Sequence, residues 1–90
     1  MSNGEQQALL TFPCEFPFKV MGLSSDTFES DIIVIVRKHV PNLGEGALKS
    51  KPSKNGKYIA LTITFIAHSR EQLDKLYVEV NEHPDVRMTL

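Results

Sequence analysis

The chain has one cysteine, no tryptophan, no long apolar run and no dominant sign of charge. Cys14 alone rules out an internal disulfide and points to a reducing, cytoplasmic setting. No stretch approaches the ~18 apolar residues of a membrane span. Residues 1–10 lack the basic start and apolar segment of a secretory signal. Ten Lys and Arg face eleven Asp and Glu, a net charge of −1. That balance withholds the whole-molecule field of a general nucleic-acid or membrane-surface binder. Ninety residues leave room for one core. The expectation is a tail over 1–11 and a single domain over 12–90.

The richest stretch is Lys57–His68, free of Gly and Pro and loaded with Ile, Thr, Tyr and Phe. It reads as a strand half-buried on a pleated surface. With period two, Ile59, Leu61, Ile63, Phe65 and Ala67 point to a core; Tyr58, Ala60, Thr62, Thr64, Ile66 and His68 point away. The outward set mixes hydroxyls with apolar groups.

In chain order, Pro13 and Pro17 hold the approach to the first strand extended and argue against regular pairing there. Phe16, Phe18 and Val20 then alternate with Lys19 and Met21 up to Gly22. Ser24 and Ser25 both suit a helix N-cap, with Asp26 and Glu29 placing negative charge in the first turn. Phe28, Ile32, Ile35, Val36, His39 and Val40 recur at helical spacing. Ile32–Val36 is β-branched, but the caps, the length and the basic cluster Arg37-Lys38-His39 favour helix, and Pro41 stops it. Residues 47–53 read as a short edge strand whose Lys49, Lys51 and Pro52 discourage pairing with strangers. Asn55-Gly56 supplies two positive-φ residues for a tight hairpin. Ser69 and Gln72 form a capping box for a second helix with Leu73, Leu76, Tyr77 and Val80 on one face. Pro84 follows it, and Val86, Met88 and Leu90 alternate with Arg87 and Thr89 in a last strand.

The order β-α-β-β-α-β predicts an α+β ferredoxin-like plait: a four-stranded antiparallel sheet, strands one and three central, both helices on one face. Such a plait decides no function by itself. For RNA, bases need aromatics on the open face of the central strands; Tyr58 is the one aromatic there, beside Lys19, Met21, Ala60 and Thr62, so no nucleic acid is expected. His39, His68 and His83 fall at the ends of three elements without ligand spacing, so no metal or other cofactor is expected. Cys14, Ser24 and Ser25 lack a neighbouring base, and Asp26 and Glu29 serve the helix start, so no catalytic residue is assigned. Two candidates remain. The turn Gly22-Leu23-Ser24-Ser25 joins a central strand to a helix N-terminus and is a place for an anionic ligand; its ordinary reading is a Ser-capped connection. The outward surface of Lys19, Tyr58, Thr62, Thr64 and Ile66 suits docking of a partner protein, or of a second copy in a face-to-face homodimer.

The segments 12–22, 52–58, 69–77 and 86–90, matching in order and spacing, resemble the YbeD-like family of small bacterial proteins. The resemblance implies a ferredoxin-like plait similar to ACT-type regulatory domains. It also implies a link to lipoate metabolism or to allosteric regulation, and it assigns no catalytic residue. The expected role is a non-catalytic regulatory or adaptor module binding a partner protein or small ligand; the alternatives are a small plait-type enzyme or an RNA-binding domain.

Overall fold

Alternation of large apolar and polar side chains along two long strands organises the structure. The computed structural model describes residues 10–90, so most of the expected tail lies outside the described residues. Strand β1 (Cys14–Leu23) is followed by helix α1 (Phe28–His39), a 3-10 turn (Glu45–Ala47), β2 (Leu48–Pro52), β3 (Tyr58–Ala67), helix α2 (Arg70–Asn81) and β4 (Val86–Thr89). The strands form one antiparallel sheet in the order β2-β3-β1-β4. This is the expected ferredoxin-like plait, with β1 and β3 at the centre.

The inward residues Phe18 and Val20 of β1 and Leu61, Ile63, Phe65 and Ala67 of β3 are buried against Phe28, Ile32 and Val36 of α1 and Leu73, Leu76 and Val80 of α2. Each fully buried Leu, Ile, Val or Phe side chain contributes about 1.5–3 kcal/mol. Ring edges extend this layer, Phe18 meeting Tyr77 at 4.9 Å between centroids and Phe28 meeting His83 at 5.5 Å, both nearly perpendicular.

Ser69 is the N-cap of α2, whereas α1 has Thr27 at its N-cap without a side-chain cap bond, so the expected serine cap is corrected there and Ser25 bonds only from the turn ahead of the helix. Ser25 Oγ accepts the Phe28 N–H at 3.1 Å, and Ser69 Oγ accepts the Gln72 N–H at 3.0 Å. Gln72 departs slightly from a capping box: its Oε1 accepts the N–H of His68 rather than that of Ser69. Its Nε2 donates to the His39 carbonyl at 2.8 Å, joining the start of α2 to the end of α1. Val40 closes α1 by donating to the Val36 carbonyl, one residue ahead of Pro41.

Three further local expectations are corrected. First, pairing of β1 with β3 is regular from Cys14 onward, with Pro17 opposite Thr64. The N–H groups of Lys19 and Leu23 bond to Leu90 and Asp85 on the β4 side. Pro17, at the same parity, turns its nitrogen toward that side where β4 supplies no partner, so no ladder bond is lost. Second, the β2–β3 turn has a single positive-φ residue, Gly56 at φ 74°. Gly56 N–H donates to the Ser53 carbonyl, while Asn55 Oδ1 accepts the Lys57 N–H at 3.1 Å, an Asx turn in place of a left-handed Asn. Third, β4 does not alternate simply. Met88 is opposite Met21 and Val86 opposite Gly22, leaving Arg87 as the extra residue of a bulge. Val86 therefore packs on the core side while Met88 turns to the other face.

Candidate functional site

Because both helices cover one face, the other face of the sheet carries no helix among the described residues. Cross-strand partners share a face, which places the open surface in rows. One row is Lys51, Ala60, Met21 and Met88; the next is Lys49, Thr62, Lys19 and Leu90. Ala60, the smallest side chain among these, leaves a dip between its neighbours. A depression of about 150 Å³ is lined by Lys19, Met21, Ala60, Thr62, Met88 and Leu90, and a second of about 210 Å³ continues from Met21 and Ala60 to Tyr58, Lys51 and Pro52. Met88 and Leu90, 47% and 69% exposed, form the apolar wall on the β4 side.

The near-neutral net charge conceals a separation. Six of the ten Lys and Arg (Lys19, Lys49, Lys51, Lys54, Lys57 and Arg87) lie on the strands or the β2–β3 hairpin, where Glu15 is the one carboxylate. Most acids sit on the helices and the loops beside them. Described ion pairs gather there too: Lys38 and His39 with Glu79, Arg70 with Asp74, Lys75 with Glu71, and His83 with Asp31. Among the described residues, none of Lys19, Lys49 and Lys51 reaches a carboxylate. Charge balance alone predicted no such basic surface, because a sum over the chain carries no information about sides. Lys57 places its ammonium 5.5 Å from the Tyr58 ring centroid at the edge of this surface.

The five residues expected to dock a partner are divided by the structure. Lys19, Tyr58 and Thr62 border the central depressions. Thr64 and Ile66 lie further along β3, where they and Glu15 line a groove of about 420 Å³ against the loop 40–44 and His68. Lys49, Lys51, Met88 and Leu90 belong to the central surface and were not singled out from sequence. The lysines follow from the β2–β3 register that a hairpin centred on Asn55-Gly56 implies, whereas the methionine depends on a bulge that leaves no sequence mark.

The turn from Gly22 to Ser25 is built for packing. A Cβ on Gly22 would stand 2.4 Å from the Asp85 carbonyl oxygen and 2.5 Å from the Phe28 ring, so only glycine fits there. Leu23 N–H donates to Asp85, Ser24 N–H to Lys57 and Phe28 N–H to Ser25 Oγ, so three of the donors an anion would use are already bonded.

The remaining polar candidates serve the helical layer. Glu79 joins the two helices by accepting from Lys38 Nζ and from His39 Nε2 at 2.8 Å. The hydrogen bond from Lys38, and then that from His39, holds its carboxyl below the usual range. His83 Nδ1 accepts the Asp85 N–H at 3.1 Å, which leaves Nε2–H to donate to Asp31 at 2.9 Å. Tyr77 donates to the Leu90 carbonyl at 2.7 Å, and burial pushes its phenol above the ordinary value. Cys14 is half-buried against the core. Among the described residues no three His, Cys, Asp or Glu converge as metal ligands, and no helix is long and apolar enough to cross a membrane.

These features define a ferredoxin-like plait with a helix-free, basic and partly apolar sheet face. The chain belongs to the family described as "Protein of unknown function (DUF493)", whose model matches residues 7–90, and which comprises the YbeD-like small bacterial proteins. It is 44% identical over 88 residues to a UPF0250 protein of Chromobacterium violaceum, covering 98% of this chain and 99% of that one. It is 40% identical over 85 residues to the UPF0250 protein NE1487 of Nitrosomonas europaea, covering 94% and 98%. Among solved structures, the protein HP0495 of H. pylori is similar with a TM-score of 0.72 at 16% identity, over 100% of this chain and 94% of that one. The C-terminal domain of the MgtC protein of Mycobacterium tuberculosis matches at a TM-score of 0.62 and 15% identity, over 91% and 89%. At these identities the structural likenesses carry the fold alone.

Proposed function

We propose that this protein is a non-catalytic adaptor or regulatory module that docks a partner protein on the open face of its sheet, in the cytoplasm. The observation that carries the reading is the contrast between faces: the helix side exposes two separate valines, Val34 and Val78, and holds the described ion pairs, whereas the open side gathers exposed Met88 and Leu90 with half-buried Met21 beside lysines that no described carboxylate reaches. An exposed apolar centre with a polar rim is the anatomy of a docking surface. A face-to-face homodimer fits poorly, because it would bring two sets of Lys19, Lys49 and Lys51 together without carboxylates between them. The partner is therefore a different protein.

The test is affinity capture from the source cell with the full chain, compared with Ala60→Arg and Thr62→Asp. Both positions lie on the open face outside the buried core, so both variants are expected to fold and to lose the partner. A partner retained by both folded variants would place docking elsewhere and end this reading.

A further inference from the structure

We infer that the open face recognises an acidic segment of its partner, one that inserts a single large apolar side chain over Ala60 and sets carboxylates against Lys19, Lys49 and Lys51. This rests on the open-face reading above and specifies its chemistry.

Size comes first. The depression of about 150 Å³ around Ala60 is comparable to an engineered protein cavity of ~150 Å³ that accepts benzene. One Phe, Leu or Met side chain fits it, and the adjoining depression of about 210 Å³ toward Tyr58 and Pro52 receives more of the same segment. Its walls supply the right surface, the thioether of Met88 and the side chain of Leu90 on one side, Met21 beneath. Methionine adapts its shape to an inserted group at small cost.

Charge comes second. Lys49 and Lys19 flank Thr62 on its two neighbouring strands, and Lys51 sits next to Ala60. Three ammonium groups thus surround the dip on the β2 and β1 sides, all exposed and without a carboxylate partner among the described residues. The nearest open-face acid in sequence, Glu15, lies at the far end of β1, opposite Ile66. A bound segment with carboxylates on both sides of its apolar residue would satisfy the lysines without burying an unpaired charge. The helical side of a second copy exposes Val78, a small apolar side chain, but Asp74 and Glu79 beside it are already in ion pairs, which leaves Glu82 as the one neighbouring carboxylate without a described partner.

Nucleic acid is the other polyanion to weigh. Bases would need stacking platforms across the central strands, and Tyr58, already under the Lys57 ammonium, is the one aromatic on that face. The centre is aliphatic. A carboxylate-bearing protein segment matches it better.

The experiment is selection of short random peptides displayed on phage against the immobilised full chain. Selected peptides are then synthesised and titrated into the ¹⁵N-labelled chain. Selection is expected to enrich Asp and Glu around one Phe, Leu or Met, and titration to shift the amides of Lys19, Met21, Ala60, Thr62 and Met88. Changing Lys19, Lys49 and Lys51 together to Gln is expected to weaken binding about tenfold, since each rim charge contributes a few-fold. Raising salt to about 1 M, where screening acts within ~3 Å, should produce a similar loss. Neutral or basic peptides mapping to this face would overturn the acidic-partner inference while leaving open-face docking intact. Peptides mapping to another surface would overturn both. Tighter binding of oligodeoxythymidylate than of any selected peptide would also overturn the inference, in favour of nucleic acid.

Discussion

The two faces of this sheet are made by alternate residues of the same strands and obey different rules. On the helix side Phe18, Val20, Leu61 and Ile63 are fully or almost fully buried, and their shapes are fixed by Phe28, Ile32 and Leu76. At the alternate positions stand Lys19 and Ala60, exposed, and Met21 and Thr62, half-buried, on a face that no described element packs against. The first set is constrained by packing and the second is free of it. Residues that stability does not explain are therefore concentrated on one side, and that is where function is to be sought.

The sharpest way to probe the contrast is to cut each face in turn. Phe18→Ala removes a fully buried ring at the centre of the core and is expected to cost about 3–5 kcal/mol. That is a large share of the stability of a small domain, which is of order 5–15 kcal/mol. Thr62→Ala, one strand away on the open face, is expected to stay within about 0.5 kcal/mol. Urea denaturation of the two variants measures both. Comparable losses would mean the open face is packed in solution, by a second copy or another segment.

Gly22→Ala is next in size. The added methyl meets a backbone carbonyl and the Phe28 ring, and the carbonyl cannot step aside without breaking its bond from Leu23. Overpacking of this kind costs about 2–3 kcal/mol. For a 90-residue chain the melting temperature should fall by roughly 10–20 °C. A thermal melt unchanged from the parent would show that β4 and α1 yield at this point, and that the glycine serves another purpose.

The legible and illegible parts of the fold divide along the same line. Period two in β1 and β3, helical spacing from Phe28 to Val40 and the capping pair Ser69–Gln72 were readable because each is a local pattern answering to the core. Pro17 was misread because its tolerance depends on where β4 starts pairing, a fact about another strand. Asn55 was misread because two turn chemistries suit Asn-Gly, and Ser53 and Lys57 select the Asx form. The open surface was half-readable. Lys19, Tyr58 and Thr62 follow from the alternation of their own strands, but Lys49 and Lys51 join them through register and Met88 through a bulge. The separation of charge between faces has no one-dimensional signature.

A smaller effect is expected at the seam where α2 meets β4. Tyr77→Phe removes the hydrogen bond to the Leu90 carbonyl and should cost about 1 kcal/mol near neutral pH. The phenol also makes this difference depend on pH. Burial raises its folded value above 10.0, so its contribution is whole below that ordinary value and is lost as pH rises through the higher folded one. The stability gap between parent and Tyr77→Phe should therefore narrow in alkali. Denaturation curves at neutral pH and above pH 10 test this; a constant gap would mean that the phenol is as well solvated folded as unfolded.

The smallest effect has the least usual sign. Lys19 and Lys49 stand two strands apart, about 9–10 Å between backbones. At that separation in water two like charges repel by about 0.4 kcal/mol. Lys51 adds a further repulsive pair along β2. Replacing Lys49 by Gln removes repulsion and no attraction, since no described carboxylate faces it, and the folded chain should gain a few tenths of a kcal/mol. The melting temperature should rise by roughly 1–3 °C at low salt, and the gain should vanish near 1 M salt as screening removes what the substitution removed. Phe18→Ala and Lys49→Gln would then move stability in opposite directions from opposite faces. A cost of that kind to the isolated fold is offset either by edge protection, which Lys49 and Lys51 supply on β2, or by carboxylates of a bound partner. If Lys49→Gln instead destabilises at low salt, a carboxylate does reach that lysine in solution, and the open face is less open than its geometry shows.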